Sequence, residues 1–438
     1  MRGLPDTWVK RPLASLLITS IGGVWGELPG ESEVDVAVIR VTELKPHGGL
    51  DVSTAAERSV ATRQLASREL REGDLIFEKS GGGPNTPVGR VALIPRLDRR
   101  TVFSNFMQLL RPSTDAAEPR FLHLFLTYYH ESGQTAQFQT ATTNIRNIKA
   151  SEFLESVDVP LPPLAEQRRI VAILEDHLTH LDAAADRCYR AARRASALVD
   201  HAAIRTLLGS ETTDRFALLD DNLPDLPHGW VWSTLGDVSH LVGGITKDAK
   251  TQSDPSLPEI PYLRVANVQR GRLDLSHVTT IRVPLEKVNR LILKSGDVLL
   301  NEGGDRDKLA RGWVWQEEVP GCIHQNHVFR ARPDTSVVDP YWLSWVANTI
   351  GASWALRHGK QSVNLASISL STISQMPVPL PPLTEQRALL GKIDHLAAGT
   401  KVLNDQMSAT MAQAQVLRRS LLSAAFCGDL TADYRKDS

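Results

Sequence analysis

Cysteine is almost missing from this chain. Cys188, Cys322 and Cys427 are the only three in 438 residues. They form no CxxC pair, no zinc spacing and no disulfide framework, which points to a reducing cytoplasm. Long apolar runs are missing too. No stretch approaches the roughly 20 apolar residues that cross a bilayer, so no membrane partner is expected. Net charge is nearly absent, at a formal −1. That excludes a protein that coats nucleic acid through bulk positive charge, but leaves room for a local basic surface. With 42% apolar and 23% charged residues the composition is that of a soluble globular protein. The length suggests about three units at roughly 150 residues per domain.

Catalytic signatures are also lacking. There is no Asp/Asn-Pro-Pro-Tyr/Phe loop of an amino-methyltransferase and no GxxxxGK[ST] phosphate loop. A nuclease-like pattern has one formal match, Pro224-Asp225 with Asp248-Ala249-Lys250. It falls in a proline-rich linker and is short enough to arise by chance. His177 and His180 lie three apart, and His324 and His327 flank Gln325-Asn326. Neither pair has the further ligand that would complete a metal site. The sequence therefore predicts no catalytic residue, no metal and no cofactor of its own.

What is present is a duplication. Leu161-Pro162-Pro163-Leu164-Ala165-Glu166-Gln167-Arg168 returns, half a chain length later, as Leu380-Pro381-Pro382-Leu383-Thr384-Glu385-Gln386-Arg387. The match runs outward in both directions. Leu4-Pro5 and Trp8-Val9 pair with Leu226-Pro227 and Trp230-Val231. Arg40-Val41 pairs with Arg264-Val265, Leu50-Asp51 with Leu273-Asp274, and Gly73-Asp74 with Gly296-Asp297. Asn105 pairs with Asn326, Asn144 with Asn364, and Gly209 with Gly428. Lys10-Arg11 followed by Leu13–Ile18 imitates a signal peptide, but it aligns with an internal segment carrying Asp237 and His240. It reads instead as the first strand of a folded domain. Trp8 and Trp230 read as core residues.

Each half has two textures. The first part mixes β-rich runs such as Val36–Val41 and Gly312–Trp315 with short helices after a proline, at Phe121–Leu126 and Tyr341–Val346. From Glu166 to Leu208 there is no proline or glycine, and apolar residues recur at steps of three and four, the stripe of a long helix. The second copy carries a similar stripe, including Leu390, Ile393, Leu396, Leu403, Leu417 and Leu421, although Gly391 and Gly399 weaken it. Gly209 and Gly428 sit where a glycine would end each helix. The prolines before Glu166 and Glu385 make a rigid joint, and each glutamate suits the positive end of a helix dipole. A helix with one apolar stripe is not stable alone. Packed antiparallel, the two bury their stripes against each other, placing a globular domain at each end.

A β-rich domain, then Val159-Pro160-Leu161-Pro162-Pro163-Leu164-Ala165-Glu166-Gln167-Arg168, then a long helix, all repeated at Val378–Arg387, resembles the specificity (S) subunit of type I restriction-modification systems. The Gly-Asp strands and the Asn144 and Asn364 positions also look like that family. The resemblance covers nearly the whole chain. It implies an α+β fold: a tandem duplication of a β-rich target-recognition domain followed by a long helix, the helices forming an antiparallel coiled coil. The expected divisions are 1–160 and 218–378 for the recognition domains, and 161–209 and 379–430 for the spacer helices. It implies a non-catalytic subunit reading a bipartite asymmetric target in double-stranded DNA. It further implies two modification (adenine methyltransferase) subunits and restriction (helicase-nuclease) subunits as partners, with S-adenosylmethionine, ATP and Mg on those partners. A coiled-coil scaffold or regulator whose ends bind protein is the alternative.

Direct readout needs Arg, Lys, Asn and Gln on loops that reach base edges, with basic groups on phosphates. The first candidates follow the Gly-Asp strands: Lys79, Ser80, Asn85, Thr86 and Arg90 in one half, and Asn301, Arg306, Lys308 and Arg311 in the other. A second pair of segments offers Thr143, Asn144 and Arg146, and Lys360, Gln361 and Asn364. Arg40 and Arg264 end strands and read equally well as structural salt bridges. Arg187, Arg190, Arg193 and Arg194 read by default as a solvated helix face, with contact to DNA backbone or a partner subunit as the alternative.

Overall fold

Asp74 and Asp297 each stand immediately before a strand at the centre of a four-stranded antiparallel sheet. In the first half the sheet order is Leu17–Gly22, Met107–Pro112, Leu75–Glu78, Val91–Leu93. In the second it is Ser239–Gly243, Val328–Pro333, Val298–Asn301, Gly312–Val314. The same tie fixes both. Arg111 grips Asp74 through two hydrogen bonds of 2.7 Å, and Arg332 grips Asp297 at the same two distances. The other lone pairs cap the preceding turn, accepting from the Arg71 and Lys294 amides. The shared Gly-Asp motif is thus a turn whose carboxylate anchors the neighbouring strand.

These are features of a computed structural model that describes residues 4–82, 87–142, 145–209, 223–304, 308–361 and 366–436. The chain divides into two compact units, 1–188 with 408–438, and 189–407. Each unit repeats one plan. A second sheet places Val34–Ile39 between Ala56–Val60 and Thr101–Phe103, the latter parallel. Its counterpart places Glu259–Leu263 between Thr279–Arg282 and Ile323–His324. The signal-like segment is a 3-10 turn, Leu13–Leu16, with both leucines buried, and the strand follows it at Leu17. The proline-led helices are Pro119–Glu131 and Pro340–Val346.

The repeated motif builds the joint. Asp158–Leu161 pairs with Val9–Pro12, and Pro377–Leu380 with Val231–Thr234. Helices of 45 residues then begin at Leu164 and Leu383 and run to Leu208 and Cys427. Gln167 fastens the first start: its carbonyl accepts from the Glu118 amide, and its amide donates to Pro162 O. Gln386 does the same with Asp339 and Pro381. Glu166 accepts the Trp8 indole N–H at 3.1 Å, and Glu385 accepts that of Trp230 at 3.2 Å. Both tryptophans are buried. In the first unit Glu166 also takes Thr431 Oγ1 and Arg435 from the chain's last turn.

Each helix is shared between the units. In the first, Ile170, Leu174 and Leu178 pack in one cluster with Leu422, Ala425 and Phe426. In the second, Ile204, Leu207 and Leu208 pack with Leu390 and Ile393. The start of each helix thus lies beside the end of the other, the antiparallel pairing expected. The halves of each helix belong to different cores. The middle of the stripe is a correction: Leu396, Leu403 and Leu417 are exposed. Gly391 and Gly399 interrupt nothing. Gly209 and Gly428 end the helices at φ 60° and 85°, where a Cβ would lie 2.3 Å from Pro227 and 2.5 Å from Pro5. Glycine is needed there for both conformation and space.

Candidate nucleic-acid interface

Beyond the central strand of the first unit the chain turns into Ser80–Gly82. This short strand pairs with Ile145–Ile148, which pairs in turn with Gln139–Thr142. The two segments chosen from sequence, far apart in the chain, therefore meet on one three-stranded sheet. Asn147 stands opposite Ser80, and the Ser80 hydroxyl donates to Asn147 Oδ1. Arg146 lies opposite Gly82, its guanidinium 3.3 Å from Gln139 Oε1. Lys79 is half-buried, with its ammonium beside Gly22. Asn85, Thr86, Thr143 and Asn144 lie outside the described residues.

The second unit builds the same sheet from Gly303–Gly304, Ala366–Ser367 and Lys360–Gln361. Lys360 is exposed. Lys308 folds over Gly304, whose φ of 135° and contact with the lysine stem leave no room for a Cβ. Arg311 is half-buried. Arg306, Asn364 and the side chain of Gln361 lie outside the described residues.

Two candidates are corrected. Arg90 forks onto Glu78 with two bonds of 2.8 Å and donates to Leu44 O and Val41 O, so it ties a hairpin to the sheet. Asn301 has no exposed surface, and its amide donates to Val268 O at 2.9 Å. Asn301, buried and already hydrogen-bonded, has no route to a base edge. Arg40 likewise makes a structural pair with Glu43 at 2.7 Å.

Sequence reasoning passed over Trp25 and Phe106, and took Asn105 only as the repeat match of Asn326. Trp25 and Phe106 are 37% and 45% exposed, large apolar surfaces to leave in water. One cleft beside the small sheet is lined by Lys79, Ser80, Asn105, Phe106 and Asn147. Its neighbour joins Asn105 and Phe106 to Trp25, Arg40 and Thr42. Arg58 stacks over the Trp25 ring at 4.6 Å. The available signal was Asn105-Phe106 standing between two strands, matched by Asn326-His327. In the second unit His327 takes the aromatic place and hydrogen-bonds Glu302 at 2.8 Å. The first unit therefore offers apolar faces at this place, and the second a hydrogen-bonded polar pair.

The remaining motifs have local partners. His324 is buried, with its Nδ1 2.6 Å from Val328 O. Burial pushes its pKa down to about 4, so the ring is neutral and Nδ1–H donates. Asp248 caps a short helix through the Thr251 amide, and Pro224 O accepts from Trp232. Among the described residues no three His, Cys, Asp or Glu side chains gather as a metal site. Arg187, Arg190, Arg193 and Arg194 are exposed, and no described helix is long and apolar enough to cross a membrane.

The chain matches the family described as the type I restriction modification DNA specificity domain, over residues 63–185 and 227–409, well over half its length. It is 24% identical over 307 residues to the type I restriction enzyme EcoBI specificity subunit of Escherichia coli, covering 68% of this chain and 64% of that protein. It is 24% identical over 379 residues to the StySPI specificity subunit of Salmonella potsdam, covering 85% and 78%. The matched part therefore spans just under two thirds of the first relative and more of the second. A solved structure concerned with complex assembly and conformational transition of the type I R-M system aligns over 98% of this chain and 100% of its own. Its TM-score is 0.67 and its identity 20%, a likeness of fold.

Proposed function

Because the chain belongs to the type I restriction modification DNA specificity family, we propose that it reads DNA for such a system, each compact unit recognising one half of a bipartite, asymmetric target. One observation carries this reading. The same small sheet is built twice, and each time it presents a different set of polar and basic side chains. Lys79, Ser80, Arg146 and Asn147 stand on the first, and Lys308 and Lys360 on or beside the second. Lysine and arginine contacts to phosphate set register and affinity, while amide and hydroxyl groups discriminate base edges. Because the side chains differ, the two half-sites differ.

The chain's own groups bind and position, and carry no chemical step. Methyl transfer belongs to two modification subunits holding S-adenosylmethionine, and cleavage to restriction subunits using ATP and Mg. Leu198, Leu396, Val402, Leu403, Val416 and Leu417 are exposed on the long helices, apolar surface that a second protein would cover. The test uses the complex assembled with its modification subunits. Lys79→Ala should weaken DNA binding and lower the salt slope by about 1 if the lysine meets phosphate. Lys360→Ala should act on the other half-site alone. Fluorescence anisotropy with targets mutated in one half at a time reads both. Affinity, salt slope and sequence preference unchanged in the double variant would refute the assignment and favour a protein-binding scaffold.

A further inference from the structure

In the first unit a cavity of about 480 Å³ lies outside the reading sheet, lined by the hairpin tip at Lys45–Gly48, the end of the helix Pro119–Glu131 and residues 415–419 of the second long helix. Its wall carries four permanent cations, Lys45, Arg90, Arg418 and Arg419, against one carboxylate, Glu131. That carboxylate is already engaged by His47 at 2.6 Å, and Arg418 approaches it at 4.0 Å. Arg90 and Arg418 have other partners in Glu78 and Asp182, and the exposed Lys45 lies 3.6 Å from Asp51. Arg419 meets no carboxylate among the described residues. Thr127, also in the wall, is 4% exposed, and its hydroxyl has no hydrogen-bond partner.

The second unit shows what this arrangement omits. The helix position matching Arg419, counted from the repeated proline motif, is Asp200. The hairpin matching Lys45–Gly49 is Gln269–Arg272, and its tip residue Arg270 lies 3.8 Å from Asp200. There a loop cation and a helix anion close the gap by themselves. In the first unit the helix residue is a cation and the loop offers Lys45, so like charges flank a cavity and one buried hydroxyl faces no acceptor.

We propose that this cavity is a binding site for a phosphate-bearing anion. Guanidinium groups match phosphate oxygens in a fork, and the Thr127 hydroxyl supplies a further donor. The volume suits a phosphate with a small organic substituent. The phosphate comes either from a free small molecule or from a nucleic-acid backbone, and the chemistry of the pocket is common to both.

Calorimetric titration of the full chain with pyrophosphate at low ionic strength tests this. Saturable, stoichiometric binding is expected. Arg419→Asp, which copies the second unit, should weaken it about tenfold or more, the equivalent of one charge-assisted contact. Thr127→Val should weaken it by a smaller factor with the site otherwise intact. Because Arg419 is exposed, an unchanged thermal melt shows that the variant is folded. Displacement of pyrophosphate by a short DNA duplex identifies a backbone phosphate as the natural ligand, and its absence identifies a free anion. Lack of saturable binding, or equal binding by wild type and Arg419→Asp, overturns the proposal. So does capture of a poly-glutamate peptide without pyrophosphate binding, which would make the cavity a protein-docking site.

Discussion

Glu43 and Glu78 hold Arg40 and Arg90 in the first unit, and the matching places in the second are Asn267 and Asn301. At the first of these places both kinds of side chain do the same backbone work. Glu43 accepts from the Arg40 amide at 2.6 Å, and Asn267 from the Arg264 amide at 2.9 Å. The amide keeps the turn and drops the charge. A third exchange lies in the core, where fully buried Phe103 in the first unit is answered by fully buried His324 in the second. The fold requires an acceptor at the turn and bulk in the core. It does not require a particular charge state, so one backbone plan supports two units with different electrostatics.

The comparison breaks first where the units should be alike. Asp74→Ala and Asp297→Ala each orphan an arginine and uncap a turn, and should cost about 3 kcal/mol apiece. Hydrogen-exchange mass spectrometry should show lost protection confined to the unit that carries the change. Equal loss in both would mean that the units are not separate cooperative bodies.

Acid should act on both units, through His123 in the first, which burial also lowers to about 4, and through His324 in the second. His324 has its pKa lowered from an ordinary 6.5 to about 4 because burial disfavours the charged ring. The unfolded chain therefore binds more protons between those values. The stabilisation is fully present above about pH 6.5 and is lost as pH falls toward 4, amounting to about 3 kcal/mol over the interval. His324→Asn can still donate to Val328 O but does not titrate. Melting curves at pH 7 and pH 5 should show a smaller acid shift for this variant than for wild type.

Glu78→Gln should destabilise the first unit by about 2 kcal/mol, since Arg90 keeps its charge and loses its fork. The double variant Glu78→Gln/Arg90→Met should recover part of that in urea unfolding, as the uncharged solution at Asn301 suggests. The smallest effect concerns the helices. Gly391 and Gly399 are exposed, and an added Cβ meets nothing. Alanine at each should raise stability by about 0.5–1 kcal/mol, seen as a higher melting temperature.

The duplication, the proline joint and the helix-ending glycines were legible because they rest on local rules: proline geometry, helical periodicity and the left-handed cap. The helices, Leu164–Leu208 and Leu383–Cys427, fall within the expected spans. Burial of individual polar residues was not legible. Leu75–Glu78 and Val298–Asn301 are buried along their whole length. Strand alternation cannot mark a solvent face on a strand covered on both sides, so Asn301, and Arg90 held by the buried Glu78, were misread as groups free to meet DNA. The bonds from Trp8 to Glu166 and Trp230 to Glu385 join residues 158 and 155 positions apart, beyond any local pattern. Phe106 was passed over because an aromatic residue between strands is usually core.

Mapping methylated adenines in cells that express this chain with the modification subunits proposed for it tests the central claim most directly. Two readers built on one plan with different side chains predict a split target: two unlike half-sites separated by a fixed unread gap, with Asn147→Ala altering only one half. A continuous palindrome, or two identical half-sites, would contradict the account.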